Sequence, residues 1–340
     1  MKKIMASVLA LALLLTGIMP FSALAEGKKV SVVTTIFPLY DWVREITAGN
    51  DSVEITMLLD SGSDLHNYQP TAQDILKIAT ADLFVFVGGE SDDWADDVLE
   101  TARNDKLIAL NLVKAMGDAI KMEEIVEGME HDDHDHDDHD EDDDHDHDED
   151  DHDEDDHDHE EEADEHIWLS LRNAQALSRV IAEKLAQIDP DNAALYQSNF
   201  EAFHEKLAQL DAAYAEAVNA AAYKTVLFGD RFPFRYLVDD YGLDYYAAFS
   251  GCSAETEASF QTILFLAQKV DELNLPAVMT IEQPKARIAE TIVGATKNKN
   301  QKILAMNSLQ SVTSQGVQSG ITYLSAMEEN LAVLKDALSD

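Results

Sequence analysis

The chain has 340 residues, a formal net charge of −43 at pH 7 and one cysteine. So acidic a chain is a poor partner for nucleic acid or for an anionic membrane surface, and a single cysteine excludes an intramolecular disulfide. Residues 130–165 contain 26 Asp and Glu and no Lys or Arg, so the rest carries −17, the difference between −43 and −26. The negative charge is therefore concentrated in one segment.

Residues 1–25 are typical of a secretory signal peptide. Lys2 and Lys3 precede an apolar stretch from Ile4 to Met19, and Ala23-Leu24-Ala25 forms a small-x-small cleavage site. This stretch is shorter than the roughly 20 residues that span a bilayer, and no comparable stretch follows. Positions 20–26 hold no cysteine that could carry a lipid anchor. We expect a protein exported to the periplasm or cell surface, with no transmembrane segment in the mature chain.

Short apolar runs alternate with helix-period segments on both sides of the acidic run. The alternation predicts two α/β lobes, each a mostly parallel sheet flanked by helices: an N-terminal lobe over residues 28–190 and a C-terminal lobe over 223–340. The predicted strands are Val30–Val33, Val53–Leu59, Leu83–Val87, Leu107–Leu110, Thr225–Phe228, Tyr245–Ala248, Ala277–Ile281 and Ile303–Met306. The predicted helices are Leu39–Thr47, Ala72–Ala79, Trp94–Arg103, Glu257–Leu273, Ala286–Thr296 and Tyr323–Leu338.

The segment between the lobes, residues 191–222, contains neither Gly nor Pro and is rich in Ala. A continuous helix here would be roughly 48 Å long at about 1.5 Å per residue, which suits a rigid link between two lobes. A coiled coil is the alternative, but the apolar residues do not keep a strict heptad. We therefore expect a single linking helix.

The acidic run holds nine of the twelve histidines. Imidazole suits zinc, copper and nickel, whereas carboxylates alone favour calcium or magnesium, so the histidines indicate transition metals. No fixed spacing recurs, which predicts weak, exchanging auxiliary sites, although a solvated acidic linker is the alternative. Having no apolar residue to bury, residues 130–162 are predicted to be disordered. These histidines are His131, His134, His136, His139, His145, His147, His152, His157 and His159.

Two further histidines are candidate ligands on the first lobe. His66 follows the predicted strand Val53–Leu59, and open α/β sheets bind ligands beyond the carboxyl ends of their strands. His166 lies where the acidic run returns to ordered structure, and Ile167 and Trp168 can anchor its backbone. An ordinary loop histidine is the competing interpretation of His66.

The second lobe contains no histidine. A metal held between the lobes must therefore take its second-lobe ligands from Asp230, Glu282 or Cys252. Asp230 and Glu282 both follow predicted strands, where a turn or capping role is the alternative. A free cysteine is more often a buried apolar group than a ligand.

Enzyme signatures are missing from the sequence. It has no His-Glu-x-x-His pair, no Gly-x-Ser-x-Gly elbow and no glycine-rich phosphate loop. We expect a protein that is not an enzyme.

Several motifs resemble the metal-binding solute receptors of ABC-type zinc and manganese importers, from about Val30 to the C-terminus. The resemblance implies two α/β lobes joined by a rigid helix, a metal between them with His66 and His166 as first-lobe ligands, and delivery to a membrane permease. It also implies a His-rich loop in zinc-type members. The motifs are the run from Val32 to Tyr40, the loop from Gly62 to Pro70, Ala81-Asp82-Leu83-Phe84, and the run from His166 to Ser170.

The second lobe departs from that family pattern. Arg231 stands near the position of the usual third histidine, and Asn307 near that of a later acidic ligand. Arginine stays charged and cannot ligate a cation. Either Asp230, Glu282 or Cys252 completes a different site, or the loop carries more of the binding.

The sequence thus favours a monomeric receptor that captures zinc outside the cytoplasm and hands it to an ABC importer permease. A manganese receptor of the same family is the near alternative, although a His-rich loop does not favour manganese. An extracellular metal buffer or metal-dependent adhesion protein is the alternative from another class, because the acidic loop alone would suffice for it.

Overall fold

The first lobe is a four-stranded parallel sheet. The structure, a computed structural model, describes residues 29–130, 163–253, 257–282 and 286–339. The sheet has the order β2-β1-β3-β4, and every strand pair is parallel. Its strands are β1 (Val30–Thr34), β2 (Val53–Met57), β3 (Leu83–Phe86) and β4 (Ile108–Asn111).

The second lobe repeats this topology with the order β6-β5-β7-β8, again entirely parallel. The register between β5 and β6 shifts between Phe228 and Arg231, which marks an irregularity near the carboxyl end of β5. The strands are β5 (Thr225–Arg231), β6 (Asp244–Phe249), β7 (Ala277–Ile281) and β8 (Lys302–Met306).

Helices cover the sheets and join the lobes. The first-lobe helices are α1 (Phe37–Thr47), α2 (Ala72–Thr80), α3 (Trp94–Glu100), α4 (Leu112–Met116) and α5 (Leu171–Ile188). The linking helix is α6 (Ala193–Ala220). The second-lobe helices are α7 (Arg235–Tyr241), α8 (Phe260–Leu273), α9 (Arg287–Ala295), α10 (Ser314–Gln318) and α11 (Tyr323–Ala337).

The predicted fold class is confirmed: two parallel α/β lobes are joined by one long helix. At 28 residues, α6 is about 42 Å long. The sequence reasoning missed α5, although its signal is present. Ser170 caps the helix through the Asn173 N–H, and the buried residues recur at helical spacing, as in Ala174, Leu177 and Ile181.

A buried contact ties the lobes together beside α6. The indole N–H of Trp168 donates to the Ser308 carbonyl at 2.8 Å, and the Tyr323 hydroxyl donates to the Trp168 carbonyl at 2.7 Å. Trp42 packs edge-on against Tyr323 with ring centroids 5.4 Å apart. One hydrophobic core therefore runs from the first sheet through α6 into the second lobe.

Two sequence predictions fall outside the described residues. These are the signal peptide at residues 1–25 and the nine-histidine run, His131 to His159. Among the described residues, no helix combines the length and apolar character needed to cross a membrane.

Asp41 on α1 makes a further tie between the lobes, and it should make stability depend on pH. Its carboxylate is fully buried, accepts the Tyr323 N–H at 2.8 Å and pairs with Arg44. Burial raises the pKa of Asp41 to about 6, against the lowering effects of the Tyr323 N–H and Arg44. Asp41 therefore holds its proton more tightly in the folded state than in the unfolded state. The resulting contribution to folding stability is complete below the unfolded pKa of 3.8 and is lost as pH rises through about 6.

We predict that Asp41→Asn, which stays neutral, gains stability relative to wild type as pH rises from 4 to 7. The gain should be on the order of 2 kcal/mol, since one pKa unit corresponds to about 1.4 kcal/mol. Denaturant unfolding of both proteins at several pH values measures it. A difference that stays constant across this range would contradict the prediction.

Candidate metal centre

The first-lobe loop after β2 holds His66 in a fixed orientation. Asp64 caps the short turn Leu65–Asn67 by accepting the His66 N–H at 3.1 Å. On the ring, Nδ1 lies 2.7 Å from the hydroxyl of Ser91, which follows β3. The side chain is 8% exposed, and its Nε2 lies against the fully buried ring of His166.

His166 is held still more firmly, and it has no exposed surface. Asp164 accepts both the His166 backbone N–H at 2.8 Å and the ring Nδ1–H at 3.0 Å. A carboxylate can only accept, so the ring proton lies on Nδ1 and Nε2 is free to bind a metal when the ring is neutral. The Tyr236 hydroxyl from α7 fixes the same segment by donating to the Asp164 carbonyl at 2.9 Å.

The two imidazoles face each other through their Nε2 atoms, which are 3.3 Å apart. Two nitrogens bound tetrahedrally to zinc at about 2.0–2.1 Å lie roughly 3.3–3.4 Å apart, so the observed spacing fits one edge of a zinc tetrahedron. A cation between them favours the His66 tautomer that donates from Nδ1 to Ser91. The pair is therefore arranged for a shared divalent ion.

The electrostatics keep His66 uncharged. Burial lowers the pKa of His66 to about 3, helped by His166 and Arg231 and opposed by Asp64. Beside the ring, Glu165 Oε2 is 3.9 Å from His66 Nδ1 and accepts no hydrogen bond from the described residues. Burial raises the pKa of Glu165, although the Ser91 hydroxyl and N–H act in the opposite sense. A bound cation would compensate this buried oxygen.

Cys252 supplies the third donor of the cluster. Its Sγ and one ring nitrogen each of His66 and His166 form the group of metal-ligating atoms found among the described residues, all within 4.8 Å of one another. Cys252 and His66 both line an open crevice of about 380 Å³, together with Glu90, Asp93, Trp94 and Glu165. The cluster thus has a path to solvent.

The other second-lobe candidates lie outside this cluster. Asp230 falls within β5, because the strand continues beyond the predicted end at Phe228, and its Oδ2 accepts the Thr280 hydroxyl at 2.6 Å. Glu282 accepts the Ser308 N–H and hydroxyl at 2.6 and 2.5 Å. Asn307 accepts the Leu309 N–H at 2.8 Å. Each of these side chains is engaged in holding second-lobe backbone or neighbouring strands.

Arg231 stays near the cluster but forms an ion pair. Its Nη2 donates to Asp64 Oδ2 at 2.5 Å, which joins the end of β5 to the His66 loop. Burial alone would raise the pKa of Asp64, but the hydrogen bond and charge of Arg231 hold it below its ordinary value. The pair therefore stays ionised and offsets the arginine charge beside the metal centre.

Sequence reasoning named His66, His166 and Cys252 as candidate ligands, which the structure brings together, but missed the residues that orient them. Asp164 sits two residues before His166, a spacing at which an Asp side chain often accepts a nearby backbone N–H. That signal was hidden among the many acidic residues of the run. Ser91 and Glu165 come close only through folding, and no local pattern marks them.

Residues 32–337 match the family model of ZnuA, the periplasmic component A of a zinc-uptake complex. The chain belongs to this family. The resemblance predicted from the sequence motifs is therefore confirmed, and the family is one of uptake components rather than of enzymes.

Two similar proteins are named as zinc-binding or zinc-uptake proteins. The zinc-binding lipoprotein AdcA of Streptococcus pneumoniae is 30% identical over 311 residues, which cover 92% of this chain and 56% of AdcA. The chain thus spans little more than half of that relative. The high-affinity zinc uptake system protein ZnuA of Bacillus subtilis is 28% identical over 317 residues, which cover 93% of this chain and 90% of the B. subtilis protein.

Solved structures show the same fold. The Zn(II)-bound ZnuA-like domain of S. pneumoniae AdcA superposes with a TM-score of 0.68 at 27% identity, covering 92% of this chain and 100% of that domain. The metal-dependent lipoprotein YcdH of B. subtilis gives a TM-score of 0.70 at 24% identity, covering 91% and 99%, and this likeness concerns the fold alone.

Gly251, beside Cys252, allows the second lobe to approach His166. A Cβ here would lie 2.9 Å from His166 Cε1 and 3.0 Å from the Phe232 carbonyl oxygen, closer than real Cβ atoms normally come. We predict that Gly251→Ala displaces the imidazole and lowers zinc affinity about 10–100-fold, the range seen when an orienting partner of a ligand is lost. Competition with a zinc chelator measures the change.

Gly294→Ala is the matched control, because a Cβ there meets nothing within 4 Å. It lies in α9, where alanine should stabilise the helix slightly and leave zinc affinity unchanged. Equal affinities in the Gly251→Ala and Gly294→Ala proteins would contradict the role assigned to Gly251.

Proposed function

We propose that this protein captures zinc between its two lobes, with His66 and His166 as first-lobe ligands, and delivers it to the permease of an ABC-type importer, acting as a monomer outside the cytoplasm. The observation that carries the proposal is the pair of Nε2 atoms 3.3 Å apart, with a third donor nearby. Membership in the ZnuA family and the names of the zinc-binding relatives support it.

The donors favour zinc over manganese. Both imidazoles present nitrogen donors, and the carboxylates of Asp230 and Glu282, the oxygen ligands that manganese prefers, are engaged elsewhere. Manganese therefore binds more weakly than zinc under this proposal.

Substituting the cleft histidines tests the ligand assignment. We predict that His66→Ala and His166→Ala each remove the tightest zinc site in calorimetric titration, because each deletes a metal ligand. His204→Ala is the control: His204 lies on α6 with its ring beside Phe200, apart from the cluster. If neither cleft substitution weakens the tightest site, the ligand assignment fails, and a wild-type protein without any site tighter than about micromolar overturns the receptor function.

Deleting residues 131–162 separates a receptor from a metal buffer. We predict that the deletion lowers the number of weakly bound zinc ions but keeps one tight ion, since His66 and His166 remain. Zinc titration of the deleted protein, beside one that also carries His66→Ala, measures this. Loss of every tight site on deletion would instead support a buffer built on the acidic run.

Delivery to an importer is tested in cells. Loss of this protein should slow growth under zinc limitation, and the defect should be relieved by added zinc but not by added manganese. Loss of the partner permease should produce the same defect. A normal zinc content in cells that lack the protein would contradict delivery.

A further inference from the structure

Cys252 is the single cysteine of the chain, and its neighbours are not those of an inert apolar thiol. The Cys252 side chain is partly buried, and it lines the same crevice as Glu90, Asp93 and Glu165. Its own backbone N–H donates to Glu123 Oε1 at 3.1 Å. A thiol buried for packing alone would be expected among apolar side chains rather than acidic ones.

Two independent features beside the sulfur point to a bound cation. The first is the pair of imidazoles, each of which places a ring nitrogen within 4.8 Å of Cys252 Sγ. The second is Glu165, which lines the same crevice, is 2% exposed and leaves Oε2 without a hydrogen-bond donor among the described residues. A buried carboxylate oxygen without a donor is costly unless positive charge lies nearby.

We propose that the Cys252 thiolate is the second-lobe metal ligand, and that this His₂Cys donor set makes the receptor select thiophilic divalent cations, zinc and cadmium, and reject manganese. The inference rests on the proposed zinc-capture function and deepens it. Thiolate is a soft ligand that favours zinc-like ions, whereas manganese, magnesium and calcium favour oxygen ligands. The sulfur thus strengthens the preference for zinc over manganese that the two imidazoles already give.

The required movement is small. In a tetrahedral zinc site with bonds of about 2.3 Å to sulfur and about 2.0–2.1 Å to nitrogen, the sulfur and nitrogen atoms lie roughly 3.6 Å apart. The present upper limit of 4.8 Å therefore closes with a shift of about 1 Å. On binding, the S–H bond breaks, a sulfur–metal bond forms, and the proton leaves to solvent. The crevice lined by Cys252 and His66 would leave room for a fourth ligand.

Cobalt(II) is the probe for this proposal, because thiolate bound to Co²⁺ gives an intense near-ultraviolet charge-transfer band. The chain has one cysteine, so any such band in the full-length mature protein arises from Cys252. We predict a band that saturates at one Co²⁺ per chain under anaerobic conditions and disappears when one equivalent of Zn²⁺ is added. Its absence from wild-type protein that binds Co²⁺ in the cleft would overturn the proposal, and this test needs no variant.

Cys252→Ser is the matched variant, since it replaces sulfur by oxygen at nearly constant size. We expect this variant to lose the charge-transfer band. Its affinity for cadmium should fall about 10–100-fold, and its affinity for manganese should fall less. Thermal unfolding of the apo-protein checks that the variant is folded, and His204→Ala should keep the wild-type band. A Cys252→Ser protein with unchanged ratios of cadmium to manganese affinity would contradict the selectivity.

The outcomes separate the two proposals. If zinc binds tightly and His66→Ala abolishes it, but no thiolate band appears, zinc capture stands and the role of Cys252 falls. If no tight zinc site exists in the wild-type protein, the proposed function itself falls. A band that survives His66→Ala and His166→Ala unchanged would place the sulfur in some other site and would also overturn the inference.

Discussion

The burial of the short segment from Asp164 to Trp168 between the lobes is the constraint on which the centre depends. Trp168 is hydrogen-bonded to Ser308 and Tyr323 of the second lobe, and the Tyr236 hydroxyl donates a hydrogen bond to the Asp164 carbonyl. Neutral hydrogen bonds contribute only about 1 kcal/mol each, but an unmade bond at a buried polar group costs more. The segment therefore has one favourable arrangement, and this arrangement fixes the position of His166.

The two histidines reach the same point by different means. His166 is held in place by buried hydrogen bonds, whereas His66 belongs to a loop that contacts the second lobe. That loop is tied by the Ser314 N–H, which donates to the Asp60 carbonyl at 2.8 Å, and by the ion pair between Arg231 and Asp64. Because these ties cross between the lobes, the position of His66 is coupled to the position of the second lobe.

The lobes share one strand order but contribute unlike chemistry. The first lobe supplies nitrogen donors from loops beyond its strands, as expected for open parallel sheets. In the second lobe the equivalent edge is occupied by internal bonds: Asp230 ties β5 to Thr280 of β7, and Glu282 ties β7 to Ser308 after β8. The sulfur of Cys252, after β6, is the second-lobe donor brought within reach of both imidazoles.

The sequence by itself determined the α/β class and the linking helix and marked both histidines as candidate ligands, because these depend on local periodicity, on Gly and Pro placement and on short motifs. It did not choose among Asp230, Glu282 and Cys252. The structure distinguishes them, because β5 runs on to Arg231 and both carboxylates already accept hydrogen bonds. Ser91 and Glu165 likewise became part of the centre only in three dimensions. Contacts between residues distant in the chain are set by packing, and no local pattern encodes them.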